Sequence, residues 1–499
     1  MPQQHMDRLN AVDAAFVHQE DPCKHMHIGG VAVFDGPPPR HDEFVAHIES
    51  RLPLVPRYRQ KLAAPPLGLG RQRWIDDPTF NLQYHVRHTA LPRPGDEDRL
   101  RRLTGRVFSQ ALDRTKPLWE MWLVEGLAGG RFALLSKSHH ALVDGISGVD
   151  LTTVLFDASK TPREVEDDGW QPRPEPTPAE LSVAALGDWA RGLGTLPVRL
   201  AGALARPEKA LADARDVLEG IAEIAVQGVA QPAPDTPLNI EIGPHRSVMF
   251  ESASLAELKE IKDALGGTVN DVVLAVVAGA LGRFFHSRGL RTEGLELRAC
   301  VPISIRGRED TGTLGNRLTQ VTTPLPIYVA DPVQRLRRVR RSMGDVKESK
   351  QALGARTISE LQDFAPPTIL AQASRLNFSS RFYNVLVTNV PGPQMPLYVL
   401  GRELRAIYPV AFLAGDRALA IAAMSYNGRV DFGLIADLDA VPDLDVLARA
   451  HRDSLAELVT AAREAATPTT KATGRSSAKR RAPAAGRNGR SATLESGRV

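Results

Sequence analysis

The residues best suited to chemistry lie together in the stretch Lys137–Gly148, "KSHHALVDGISG". His139 and His140 are adjacent, and Asp144 and Gly145 follow after three residues. The chain has only 13 histidines in 499 residues, so a pair set beside an Asp-Gly step invites a chemical reading. Neutral imidazole serves either as a metal ligand or as a general base, and its ordinary pKa near about 6.5 suits proton transfer at neutral pH. The preceding "RFALLSKSHH" alternates like a half-buried strand. If the strand persists, Phe132, Leu134, Ser136, Ser138 and His140 share one face and His139 points to the other. Diverging rings cannot easily hold one ion, and catalytic zinc usually takes three protein ligands. No His-x-x-x-His spacing or acidic helper accompanies the pair, so the expectation is a site with no metal and no prosthetic group.

A general base fits better. A helix is expected to begin near Gly145, with Leu151, Val154 and Leu155 at helical spacing. Asp144 at that junction suits a capping carboxylate, or one that holds the histidine segment through a buried arginine. Gly145 permits the tight reversal. No Gly-x-Ser-x-Gly is present, and Cys23 and Cys300 stand outside any motif, so no nucleophile, disulfide framework or cysteine metal site is indicated. A base without a nucleophile implies direct transfer: an alcohol gives up its proton and attacks an already activated carbonyl, for which a thioester is the natural donor.

The elements that must position these residues can be outlined. Pro117, Leu118 and Trp119 open a strand that returns through Gly129-Gly130, a hairpin signal. A two-residue loop would set Trp119 opposite His140. Two readings of Pro117-Leu118-Trp119 stay open: the wall of a substrate site, or a core strand. Thr268 and Asp271 have the spacing of a capping box ahead of the apolar run Val272–Leu281, which reads as a buried helix. Capping is the leading role for Asp271; Asn270 is assigned to orient a substrate carbonyl or His140. "NVPGP", Asn389 to Pro393, is a rigid turn.

Along the chain, residues 1–178 read as an α/β unit, 179–245 as a helical connector, 246–466 as a second α/β unit and 467–499 as a basic disordered tail. From Pro468 the chain carries eight basic residues and one acidic residue, a net of +7; the whole is +4, so the remainder is −3. With 43% hydrophobic and 24% charged residues the composition is globular. There is no basic leader running into an apolar segment and no stretch of about 18 uninterrupted apolar residues. A soluble, cytoplasmic chain is expected.

"SHHALVDG" resembles the HHxxxDG motif of the CoA-dependent acyltransferase superfamily, which includes chloramphenicol acetyltransferase and peptide-synthetase condensation domains. "KPLWEMWLVEGL", "TVNDVVLAVVAGAL", "VPISIRGREDTGTLGNRLTQVTTPLP", "NVLVTNVPGP" and the opening "LNAVDAAFVHQEDPCKHMHIGGVAVFDG" look like the further motifs of the bacterial wax ester synthase/acyl-CoA:diacylglycerol acyltransferase family. The resemblance spans roughly residues 7 to 465, and the segment Ala414–Arg417 fits it more loosely. It implies an α/β (α+β) fold of two chloramphenicol-acetyltransferase-like lobes joined by a helical connector, with an active-site tunnel between them. His140 is then the base, with His139, Asp144 and Gly145 supporting it. Long-chain acyl-CoA is the donor, a co-substrate and not a cofactor. Diacylglycerol or a long-chain fatty alcohol is the acceptor. An apolar product implies peripheral contact with a membrane or lipid droplet; no specific nucleic-acid partner is expected. Two alternatives stand beside this reading: transfer to another hydroxyl, such as a polyketide or glycolipid alcohol, and a non-catalytic lipid-binding protein. An intact histidine motif argues against the second.

Overall fold

The alternation of "HIGGVAVF" and "RFALLSKSH" is realised as two paired strands at the heart of the first half. The computed structural model describes residues 5–68, 70–143, 155–205, 232–304, 318–348 and 381–466. Asp144, Gly145 and the tail fall outside them. In chain order the first half contains β1 (Asp7–Arg8), α1 (Ala11–Gln19), β2 (His27–Phe34), α2 (His41–Arg51), β3 (Gln60–Ala63), β4 (Arg73–Asp76), α3 (Leu82–His85), β5 (Val86–Ala90), α4 (Glu97–Phe108), β6 (Trp119–Leu127) and β7 (Arg131–His139). After α5 (Pro178–Ala205) come β8 (Arg246–Ser254), α6 (Leu255–Leu265), α7 (Val269–Ser287), β9 (Leu297–Ser304), β10 (Leu318–Leu325) and α8 (Pro332–Glu348). The chain closes with β11 (Val385–Pro391), β12 (Tyr398–Val399), β13 (Arg402–Val410), β14 (Leu419–Tyr426), β15 (Arg429–Asp437) and α9 (Leu444–Ala466).

Two six-stranded sheets carry the two lobes, ordered β12-β13-β2-β7-β6-β5 and β10-β9-β11-β14-β15-β8, with a small sheet β1-β4-β3 beside the first. The first lobe is therefore not built from the first half alone. β13 pairs antiparallel with β2, Tyr408 opposite Val31 and Val410 opposite Gly29. This corrects the expected boundary: the unit 246–466 gives Tyr398–Val410 to the other sheet, a long-range pairing that local pattern does not reveal. The exchange is tied at its base, where the Asp431 carboxylate on β15 accepts the Ile407 N–H of β13 at 3.0 Å.

Both faces of the first sheet are buried. Val31, Val33, Ala133 and Leu135 join the core shared with the second lobe, while Ala32, Phe34, Phe132 and Leu134 join a separate core under α2. β2 and β7 run so close that a Cβ on Gly29 would stand 1.9 Å from the Ser136 carbonyl oxygen. Helix α7 forms the axis of the larger core; Val272 to Leu281 are buried all round, as the apolar run predicts. It is also the one described helix apolar and long enough to span a membrane by composition, and 72% of that window is buried inside the protein. Its start is a true capping box: Thr268 Oγ1 accepts the Asp271 N–H at 3.2 Å, and the Asp271 carboxylate accepts the Thr268 N–H at 2.8 Å.

The β6–β7 hairpin departs from the expected register. Its loop holds three residues, Ala128 to Gly130, and the ladder shifts between Val124 and Leu127, beside Gly126 at φ 79°. Trp119 consequently faces Ser138 instead of His140.

Candidate active site

β7 ends at His139, and the chain turns into a short 3-10 helix over His140–Val143. This turn corrects the facing of the two histidines. Strand alternation would have placed His140 with Phe132 and Leu134; instead its ring stacks on Phe16 at 3.9 Å and meets Phe412 edge-on at 5.5 Å. Phe16 comes from α1, and Phe412 follows β13, so His140 is held between the N-terminal helix and the crossover segment. Its backbone N–H donates to the Met26 carbonyl at 2.8 Å, fixing it to the start of β2.

The deep setting governs its charge. Burial lowers the His140 pKa to about 4, against a smaller upward pull from its own backbone carbonyl, so the ring is neutral at physiological pH. His140 as a residue is half-buried, while its ring Nδ1 is sealed from solvent. A neutral imidazole can accept a proton from a hydroxyl that reaches it.

His139 has a different environment. Its N–H donates to the Leu118 carbonyl at 2.9 Å, and its Nδ1 accepts the Ala141 N–H at 3.1 Å. With Nδ1 occupied as acceptor, the ring proton belongs on Nε2, which faces the Glu20 carboxylate at 3.6 Å. Burial lowers the His139 pKa to about 3, with Glu20 opposing that shift. Glu20 caps the C-terminal end of α1, and its other oxygen lies 3.3 Å from His27 Nε2. His27 sits directly across the β2–β7 ladder from His139.

The remaining predicted residues are placed as follows. Leu118 and Trp119 are each 1% exposed. Trp119 stacks on His85 at 4.6 Å and donates its indole N–H to the Tyr58 carbonyl at 2.8 Å, on the face opposite His140. These are the contacts of a core strand, and Leu118 acts on the site through its carbonyl. Pro117 is buried just ahead of them. Asn270 accepts a hydrogen bond from Asn389 at 3.4 Å, linking the start of α7 to the "NVPGP" strand. Asp271 is spent on its cap. Asp144 and Gly145 lie outside the described residues. Sequence reasoning missed Phe16, Glu20, His27 and Phe412. The period-2 pattern of "MHIGG" marks a strand, but nothing local says that it lies against the histidine strand.

Two α/β lobes, a crossover strand and a buried histidine pair where they meet define the two-lobed acyltransferase fold. A starter condensation domain of rhizomide synthetase in complex with C8-CoA and Leu-SNAC shares it, with a TM-score of 0.55 over 92% of this chain and 95% of that one; at 13% identity the likeness concerns fold alone. The chain belongs to the wax ester synthase/diacylglycerol acyltransferase family. That family's catalytic-domain profile matches residues 9–273, and its C-terminal-domain profile matches 314–459. A Mycobacterium tuberculosis protein named probable diacylglycerol O-acyltransferase tgs1 is 33% identical over 91% of this chain and 96% of its own length. The structure of a wax ester synthase/diacylglycerol acyltransferase from Marinobacter aquaeolei VT8 matches with a TM-score of 0.63 at 28% identity, over 92% of this chain and all of that one.

Proposed function

We propose that this chain transfers a long-chain acyl group from acyl-CoA to the hydroxyl of diacylglycerol or a fatty alcohol, with His140 as general base. The observation that carries this reading is the neutral His140 ring, clamped between Phe16 and Phe412 and fixed by the Met26 carbonyl, at the motif histidine of this family. As the acceptor oxygen bonds to the thioester carbon, its proton passes to the His140 ring. The tetrahedral intermediate then expels the CoA thiolate, which takes that proton and leaves as the thiol. The balance closes with ester and CoA, and no metal or prosthetic group enters it. His139 and Glu20 hold the backbone of the turn and do not touch the reacting atoms.

The apolar acceptor places this chemistry at a lipid surface. Val183, Leu186 and Trp189, 60–69% exposed at three-residue spacing on α5, support peripheral contact there.

The test is CoA release from palmitoyl-CoA by the purified chain with dioleoylglycerol, hexadecanol or no acceptor, with His140→Ala in parallel. Acceptor-dependent release that falls by about 10²–10⁴ in the variant is expected. Equal rates in both proteins would remove His140 as base. No release with either acceptor would redirect the assignment to another hydroxyl.

A further inference from the structure

We propose that Glu20, His25 and His27 form a binding site for a zinc-class divalent cation directly behind the histidine pair, and that its occupancy slows acyl transfer. The proposal goes beyond the assigned reaction, which requires no metal, and departs from the metal-free expectation drawn from the sequence. One ligand atom from each of the three residues lies within 4.8 Å of the others. The His25 and His27 rings stack at 5.1 Å with planes 7° apart, bringing two imidazole edges to one side of the chain. That placement follows from their i, i+2 spacing in an extended approach to β2.

The cluster is built but unsatisfied. His27 is 1% exposed, and among the described residues its Nδ1 has no hydrogen-bond partner, while its Nε2 faces Glu20 Oε1 at 3.3 Å without hydrogen-bond geometry. Two nitrogens and one carboxylate oxygen are a set that zinc accepts with one position open. Nearby positive charge is largely answered: Lys137 Nζ lies 2.6 Å from Glu120 and Arg246 lies 3.8 Å from Asp437, although Arg114 stands 3.9 Å from Glu20 itself. Asp21 and Pro22, between Glu20 and His25, are exposed, so the cluster lies beside a surface loop.

The link to activity runs through Glu20, whose second oxygen faces the Nε2–H of His139. A cation on the other oxygen withdraws charge from that carboxylate and draws it toward His25 and His27, weakening its contact with the His139 ring beside His140.

The experiment uses the full chain, stripped with chelator, and titrates it with zinc by calorimetry and with cobalt by visible absorption. One ion per chain is expected, with the ligand-field bands of four-coordinate cobalt. His25→Gln should abolish both while keeping the metal-free rate of CoA release. Zinc should slow release by the native chain by up to about 10²-fold, the size of loss that a small misplacement of a catalytic group produces, and should spare the variant. Zinc should also raise the melting temperature of the native chain and not that of the variant; His25→Asn replaces His25→Gln if the latter melts early without metal. Absence of stoichiometric binding, or equal binding by native chain and variant, overturns the site. Stoichiometric binding without slower release overturns its effect on transfer. The calorimetric and cobalt readings do not depend on turnover, so failure of the acyltransferase assignment would be seen separately.

Discussion

His140 is placed by contacts that come from distant parts of the chain: Phe16, Met26 and Phe412. The cost of that placement is a buried neutral imidazole, and it is a cost that pH can expose. Unfolded imidazoles titrate near 6.5, whereas burial lowers His139 to about 3 and both His140 and His451 to about 4. Between those values the unfolded chain binds protons that the native state does not. Stability is therefore full above about pH 7 and is lost progressively as pH falls from 6.5 toward 4, at up to about 1.4 kcal/mol per pH unit for each ring. His451 tests this away from the site, packed on Phe432 at 4.5 Å. In His451→Leu, the loss of stability between pH 7 and 5 should be smaller than in the native chain by about 2 kcal/mol. Denaturant titrations at the two pH values measure it, and an unchanged pH slope would show that His451 is not held neutral.

At the scale of elements, β2 is the strand on which the site depends. It meets β7 on one side and β13 on the other, and Gly29 is where the backbones come closest. Gly29→Ala must push β2 away from Ser136, since the obstructing atom is main chain. A loss of about 2–3 kcal/mol or more is expected in the denaturant midpoint, with most of the protein insoluble on expression. The strands, the buried α7 and its capping box were legible because each is written in local periodicity or spacing. Register was not. The Gly129-Gly130 turn suggested two loop residues, but Gly126 introduces an irregularity upstream, and Trp119 moves two positions along its partner. The facing of His140 was illegible for a related reason: one change from strand to 3-10 helix at His139–His140 reverses the alternation. Phe412 and Glu20 lie far from the motif in sequence, and no local pattern announces a contact made through tertiary packing.

The whole molecule is joined by exchange. β12 and β13 leave the second half to complete the first sheet, and Phe412 at the end of that excursion closes on His140. Neither half should then fold by itself. Residues 1–245 expressed alone lack the neighbour of β2 and expose the apolar face that joins the core shared with the second lobe. They should be insoluble or lack near-ultraviolet circular dichroism, and co-expression with 246–499 should restore soluble protein and CoA release. A soluble, cooperatively melting 1–245 fragment would contradict the exchange.

The same crossover sets a waiting time during synthesis. Val410 lies about 270 residues beyond His139. At about 5–20 residues per second, the ribosome needs roughly 15–50 s to supply the strand that covers β2. Through that interval the growing chain offers an uncapped sheet edge and an unfilled histidine site, so the yield of this enzyme in a cell should depend on chaperones that hold nascent chains and on the speed of translation between the two halves.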